Sequence, residues 1–168
     1  MTSINELQLA KELIKFPSVT PVDAGIMKFL EKKLKTLGFK TKILEFREKD
    51  SQPVKNLYAR LGNKGPNFCY AGHLDVVPAG NFKNWTVNPF KPSIKKGHLI
   101  GRGANDMKSS IASFVSAVSN FVSNNRKFNG SISSVSYTHL RAHETLMNLV
   151  CRLLLEKTPE ANDRGRLV

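Results

Sequence analysis

The sequence predicts an α/β fold, a mixed sheet flanked by helices on both faces. Three segments place apolar residues at the period of an amphipathic helix, and short strand-like runs bounded by glycine and proline lie between them. One of these runs leads directly into a polar segment, the position at which open α/β sheets place their ligands. With 168 residues, the chain is long enough for one domain with a single core.

Two helices are predicted in the N-terminal quarter. Ser3 and Glu6 have the spacing of a capping box, which indicates a first helix to about Phe16. The second helix is predicted over residues 22–37, and Gly38 is a natural residue to end it. Both segments repeat apolar residues at intervals of three and four, which predicts one buried face on each helix.

Strands are predicted over residues 39–46, 54–61 and 67–71, since these runs are short and rich in apolar residues. The third run is followed at once by Gly72 and His73. We therefore expect this strand to deliver candidate ligands from its carboxyl end.

A long loop, a hairpin, a helix and a strand are predicted next. Residues 78–97 are rich in proline, glycine and asparagine, and an ordered loop of that length usually serves a site. Residues 93–100 predict a hairpin that turns at Lys96 and Gly97. The apolar spacing of residues 107–122 predicts a helix, and residues 130–133 begin another strand.

The chain changes character at Ser134, where polar residues interrupt the predicted strand. Residues 1–133 contain 17 lysines and the remaining 35 residues contain one, while arginine becomes the main basic residue. A change of reading frame or a joined sequencing adapter produces such a switch. We therefore predict two parts: residues 1–133 as the N-terminal part of a catalytic domain, and residues 134–168 as a non-native tail.

The candidate site combines two motifs, GHLDVVPAG at residues 72–80 and GRGANDMK at residues 101–108. Zinc accepts imidazole nitrogen and carboxylate oxygen, which makes His73 and Asp106 candidate ligands. Asp75 lies two residues after His73 and could orient its ring as a supporting carboxylate. Taken alone, a His-x-Asp pair is more often a core histidine beside a turn aspartate. The neighbouring glycines, together with Asp106, favour the metal site.

These motifs resemble the co-catalytic zinc hydrolases of the aminoacylase and carboxypeptidase type. The resemblance covers about residues 4–133, including Asn56–Tyr58 and a Trp85-to-Pro92 loop. It implies a zinc-exopeptidase-like (phosphorylase/hydrolase-like) catalytic domain, present here in truncated form. By motif, His73 resembles a metal ligand, Asp106 the aspartate shared by two ions, and Asp75 the supporting catalytic carboxylate.

The resemblance also implies an activity, which is hydrolysis of an amide bond with two zinc ions per complete site, cobalt being able to take one position. The best match is the branch acting on N-succinyl-LL-2,6-diaminopimelate, in lysine and diaminopimelate biosynthesis. Acetylornithine deacetylases and related carboxypeptidases share the motifs and remain alternatives. The implied partner is a small N-acyl amino acid, and a homodimer is expected for the complete enzyme but not for this fragment. Substrate-binding residues stay unassigned.

The same resemblance predicts an inactive fragment. In this family the next strand leads to a Glu-Glu pair that supplies the general base and a metal ligand, and the sequence after Ser134 lacks such a pair. Glu144 is isolated in unrelated sequence and is no substitute. His139 and His143 have zinc-compatible helical spacing but lie in the suspect tail, so we disfavour them as ligands.

The net charge of +13 raises a third possibility, a basic nucleic-acid-binding module. We disfavour it, because the lysines are scattered over predicted helix faces without interleaved aromatic residues. The sequence has no apolar signal core and no run of the roughly 18–20 apolar residues needed to span a membrane. This pattern predicts a cytoplasmic protein without a membrane partner.

Arg102, between Gly101 and Gly103, has two possible roles. Its side chain could anchor the glycine turn by hydrogen bonds, or it could meet a substrate carboxylate. We favour the anchor at this point.

Overall fold

The computed structural model describes residues 3–46, 53–125 and 127–137. Its helices are α1 (Glu6–Ile14), α2 (Ile26–Thr36) and α3 (Ser109–Asn124), with a short 3-10 turn at Phe82–Asn84. Its strands are β1 (Lys40–Phe46), β2 (Val54–Leu61), β3 (Asn67–His73), β4 (Ser93–Lys95), β5 (His98–Ile100) and β6 (Ser131–Tyr137). None of the helices in these ranges is long and apolar enough to cross a membrane.

The main sheet has the strand order β1-β2-β6-β3. Strand β2 runs antiparallel to both β1 and β6, whereas β3 runs parallel to β6. His73 at the end of β3 pairs with Tyr137 at the end of β6. The sheet is therefore mixed, as predicted, and the carboxyl ends of two neighbouring strands meet at one edge. Strands β4 and β5 form a separate hairpin.

The main core lies on one face of this sheet. Apolar residues of α1, α2 and α3 form a single buried cluster with Leu57 and Ala59 of the central strand β2. The opposite face carries a smaller cluster around Tyr58, Val135 and Tyr137, to which no described helix contributes. The prediction of helices on both faces is therefore wrong for the described residues, because the apolar faces of all three helices meet in the same core.

Both N-terminal helices begin later than predicted, as their N-cap residues show. Asn5, rather than Ser3, caps α1, because its side chain accepts a hydrogen bond from the Gln8 amide at 2.8 Å. Helix α2 begins four residues later than predicted, since Gly25 has a left-handed φ of 85° and cannot continue a helix from residue 22. The end is as predicted: Gly38 has a φ of 87° and donates to the Lys35 carbonyl.

The prediction that Ser134 interrupts the strand is also wrong. Strand β6 runs from Ser131 to Tyr137, and its register with β2 and β3 continues past Ser134. Ser134 and Ser136 are buried at 2% and 0% exposure, so small polar side chains occupy positions where apolar ones were expected. The boundary between residues 133 and 134 remains a prediction, and residues 138–168 lie outside the described part.

Candidate metal centre

The segment after β3 is fixed by hydrogen bonds on two sides. The Leu74 amide donates to the Tyr137 carbonyl at 2.9 Å, and the Val76 amide donates to the Ser18 carbonyl at 2.9 Å. The Thr20 amide returns a hydrogen bond to the Val76 carbonyl. His73 and Asp75 are therefore carried by backbone that is held between β6 and the turn following α1.

Asp106 reaches this edge through a tight glycine turn. Gly103 has a φ of 85°, and a Cβ there would stand 2.7 Å from Val76 Cγ1. A Cβ on Gly101 would stand 2.6 Å from Ile14 Cγ2. Real Cβ atoms essentially never approach a neighbour so closely, so a larger residue at either position would force Val76 or Ile14 to shift. The turn thereby packs directly against the segment that follows β3.

The segment carrying Asp106 is not part of the following helix. We predicted a helix from residue 107, but α3 begins at Ser109, because Asp106 (φ −136°, ψ 96°) and Met107 are not helical. The Asp106–Met107 peptide bond is cis. The His73 amide lies 3.4 Å from Met107 Sδ, and a Cβ on Gly72 would stand 3.1 Å from Met107 Cε. Met107 therefore packs between the two segments.

The three predicted site residues converge. His73 Nε2 lies 2.9 Å from Asp106 Oδ1. On the other side of the ring, His73 Nδ1 lies 3.0 Å from the Asp75 carbonyl oxygen and 3.5 Å from Asp75 Oδ1. Because a carbonyl oxygen can only accept, Nδ1 carries a proton and Nε2 is the nitrogen available to a ligand. Thr20 donates its hydroxyl to the second Asp75 oxygen.

This arrangement sets the charge of the histidine. The Asp75 carboxylate, by its hydrogen bond to the ring, raises the pKa of His73 to about 9, and Asp106 contributes in the same direction. The side chain of Asp106 is 81% exposed, whereas that of Asp75 is 12% exposed. Asp75 is therefore held inside the site, and Asp106 faces the solvent from which a cation would arrive.

A buried lysine close to Asp75 was not predicted from the sequence. Lys108 is fully buried, and its ammonium donates to the Phe16 carbonyl at 2.8 Å. Burial lowers the pKa of Lys108 to about 8, while the nearby negative charge of Asp75 opposes that shift. The spacing of Lys108 with Ile111 and Ala112 on the apolar face of α3 was the signal that could have revealed it.

The site opens into a cleft of about 320 Å³. Its walls are the segment after β3, Thr20 and the turn of residues 101–106, which includes Arg102. Within the described ranges, no group of three or more His, Cys, Asp or Glu side chains is arranged to hold a metal ion. These ranges thus supply two candidate ligands, His73 and Asp106. His139, His143 and Glu144 lie outside them.

Comparison with known proteins identifies the relatives of this site. Residues 69–138 match the model of peptidase family M20/M25/M40. This match contains both motifs, so the resemblance predicted from the sequence is confirmed.

Curated relatives show which members of this family the chain is similar to. The chain is 71% identical over 133 residues to a succinyl-diaminopimelate desuccinylase of Pelagibacter ubique, covering 79% of this chain and 35% of that protein. It is 53% identical over 127 residues to a protein of the same name from Rhodospirillum centenum, covering 76% of this chain and 33% of that protein. The chain thus spans about a third of the length of these relatives and is related to their sequences over most of its own length.

Solved structures confirm the fold class. Human carnosine dipeptidase 1 superposes with a TM-score of 0.74 at 24% identity, covering 90% of this chain and 35% of that one. The metallo-carboxypeptidase Sso-CP2 from Sulfolobus solfataricus superposes with a TM-score of 0.66 at 23% identity, covering 79% of this chain and 30% of that one. The predicted mixed sheet with flanking helices is therefore a fold that this chain shares with these structures.

Proposed function

We propose that this chain is the N-terminal part of the catalytic domain of a metal-dependent amidohydrolase. Its substrate in the complete protein is N-succinyl-LL-2,6-diaminopimelate, which gives succinate and LL-2,6-diaminopimelate in the cytoplasmic biosynthesis of lysine. The observation that carries this proposal is the convergence of His73 Nε2 and Asp106 Oδ1 in the lining of the cleft. The names of the curated relatives support the choice of substrate.

The donor atoms fit a divalent metal of the zinc type. His73 Nε2 and the exposed Asp106 carboxylate would hold it, since zinc accepts both nitrogen and oxygen donors. In the complete site we expect two zinc ions, with Asp106 shared between them and cobalt able to take one position. A bound ion of this kind polarises the scissile carbonyl and lowers the pKa of a coordinated water to ~7.

Asp75 is proposed as the residue that orients His73. Its carbonyl oxygen fixes the proton on Nδ1, and its carboxylate also lies beside the ring. The hydroxyl of Thr20 donates to that carboxylate and helps to hold it in place, and the ammonium of buried Lys108 is near enough to interact with its charge. Carboxylates in this position raise the basicity of a ligating histidine and hold its ring still.

The water-activating base is proposed to lie in the two thirds of the relatives that this chain does not span. Neither His73 nor Asp106 can serve as base while it holds a metal ion. We therefore propose that residues 134–168 are non-native, and that the 168-residue chain binds one metal ion weakly and does not turn over substrate. Dimerisation is likewise assigned to the complete enzyme.

Zinc binding tests the proposal at the site itself. Isothermal titration of the apo protein with zinc is expected to show one site, which His73→Gln removes. His98→Gln is the matched control, because His98 is an exposed residue of the hairpin. Equal zinc affinity in wild type and His73→Gln would contradict the assignment.

Turnover tests the fragment proposal separately. We expect no release of succinate from N-succinyl-LL-2,6-diaminopimelate by the purified chain with added zinc. A rate near that of a full-length relative, assayed under the same conditions, would refute the claim that the base lies elsewhere.

A further inference from the structure

Arg102 places a permanent positive charge in the same cleft as the candidate metal ligands. The residue lines the cleft together with His73 and Asp106. The guanidinium group cannot lose its proton in a protein, and its planar fork matches a carboxylate. Two roles could explain a guanidinium group in this cleft: anchoring the glycine turn, or binding a substrate carboxylate.

The Arg102 side chain does not anchor the glycine turn. The turn is tied down by its backbone, since the Arg102 amide donates to the Pro89 carbonyl at 2.8 Å and the Ala104 amide donates to the Gly101 carbonyl. No hydrogen bond or ion pair from the guanidinium to another described residue is present, and its Nε is buried without a partner. The anchoring role favoured from the sequence therefore belongs to the main chain.

The side chain is instead held by an aromatic ring. The Arg102 Cζ atom lies 5.0 Å from the centre of the Trp85 ring, a cation–π geometry. The indole is fixed in turn, because Trp85 Nε1 donates to the Ala79 carbonyl at 2.8 Å. Stacking restricts the guanidinium without using its N–H donors, which leaves them available for a ligand.

We propose that Arg102 binds a carboxylate group of the substrate, with Trp85 as the residue that positions it. The proposal rests on the proposed function for its choice of ligand, an N-acyl amino acid with free carboxylates. Arg102 would select substrates that carry a carboxylate within reach of the amide bond placed at His73 and Asp106. A neutral acyl amide would lose the paired hydrogen bonds and leave the buried Nε without a partner.

The experiment uses the fluorescence of Trp85, the one tryptophan of the chain. The apo protein is titrated with succinate and, separately, with succinamide, which has the same carbon skeleton and no charge. We expect a saturable change with succinate and none with succinamide. Arg102→Gln is expected to weaken the succinate response roughly tenfold or more, because it removes charged hydrogen bonds. Arg102→Lys, which keeps the charge without the fork, is expected to retain part of the affinity.

Lys91→Gln is the matched control for loss of one positive charge. Lys91 is exposed in the same loop region and does not line the cleft. Its succinate affinity is expected to equal that of wild type, with far-ultraviolet circular dichroism showing that each variant is folded. If Arg102→Gln does not fold, Arg102→Lys decides: an affinity reduced threefold or more supports the proposal, and an unchanged affinity overturns it.

The outcomes separate this inference from the proposed function. A folded wild-type protein that gives no succinate response, or an Arg102→Gln response equal to wild type, overturns the role of Arg102, whatever zinc does. An Arg102-dependent response in a protein that fails to bind zinc at His73 supports the carboxylate site and refutes the metal assignment.

Discussion

At the scale of single residues, the site depends on how the His73 ring is held. Its Nδ1 faces the Asp75 carbonyl, so the ring presents Nε2 towards Asp106. Because Asp75 is largely buried while Asp106 is exposed, the two carboxylates have different tasks: one orients the imidazole and the other meets the solvent.

Replacement of Asp75 tests this division. We expect Asp75→Asn to weaken zinc binding by roughly tenfold to a hundredfold, the range found when a carboxylate supporting a metal-bound histidine is lost. Isothermal titration with zinc measures the effect. Glu45→Gln, on the exposed edge strand β1, removes the same charge and is expected to bind like wild type. An unchanged affinity in a folded Asp75→Asn protein would show that Asp75 does not support the ring.

The raised pKa of His73 predicts a pH dependence of apo stability. The protonated ring is favoured in the folded state, whose pKa is about 9 against an ordinary value of 6.5. This contribution to the free energy of unfolding is therefore complete below pH 6.5 and is lost as the pH rises to 9. Urea unfolding between these values should show the decline in wild type and a flatter profile in His73→Gln. A decline of equal size in both proteins would assign it to another group.

Zinc binding should have the opposite dependence on pH. A metal ion and a proton compete for His73 Nε2, so zinc affinity is expected to rise as the pH increases from 6 towards 9. The number of protons released on binding, obtained from titrations in buffers of different ionisation enthalpy, checks this prediction. Affinity independent of pH over this range would exclude His73 as a ligand.

At the scale of elements, the site forms where the end of β3 contacts the turn that contains Gly101 and Gly103. The turn can approach β3 because Gly103 has no side chain, as its close contact with Val76 shows. The non-helical residues before α3 then direct Asp106 back over His73 rather than along the helix.

Gly103 and Gly97 provide a matched pair for testing this approach. Both have positive φ, 85° and 76°, but a Cβ would clash with Val76 only at Gly103 and would meet nothing within 4 Å at Gly97. We expect Gly97→Ala to cost about 1–2 kcal/mol of stability from the left-handed backbone alone. Gly103→Ala should cost more and should weaken zinc binding. Urea unfolding gives the comparison, and equal costs would show that the approach is unimportant.

Much of this arrangement could be predicted from local sequence, and the exceptions have physical causes. Strand β2 has the predicted bounds, and the hairpin turns at Lys96 and Gly97, because turn chemistry is a local property. The start of α3 and the burial of Lys108 were missed, since both result from contacts with residues distant in sequence. The convergence of His73 and Asp106 was expected through the resemblance, because spacing alone does not bring residues 33 positions apart together.

At the scale of the whole molecule, the described residues form one side of the candidate site. His73 and Asp106 stand at the edge where β3 and β6 end, and β6 is the last described element. The remaining ligands and the base are proposed to follow that strand in the complete protein. The relatives, of which this chain spans about a third, have the length to supply them.

A chimera can test whether residues 1–133 are a competent part of an active site. Residues 1–133 would be joined, within β6, to the remainder of the Pelagibacter ubique relative, with which the chain shares 71% identity over 133 residues. We expect the chimera to bind zinc and to hydrolyse N-succinyl-LL-2,6-diaminopimelate, because it would contain the base that we propose to lie in the remainder of the relative. His73→Gln in the chimera should abolish turnover, whereas His98→Gln should not, since His98 lies in the exposed hairpin. A folded, zinc-loaded chimera without turnover would show that residues 1–133 do not form a working part of this active site.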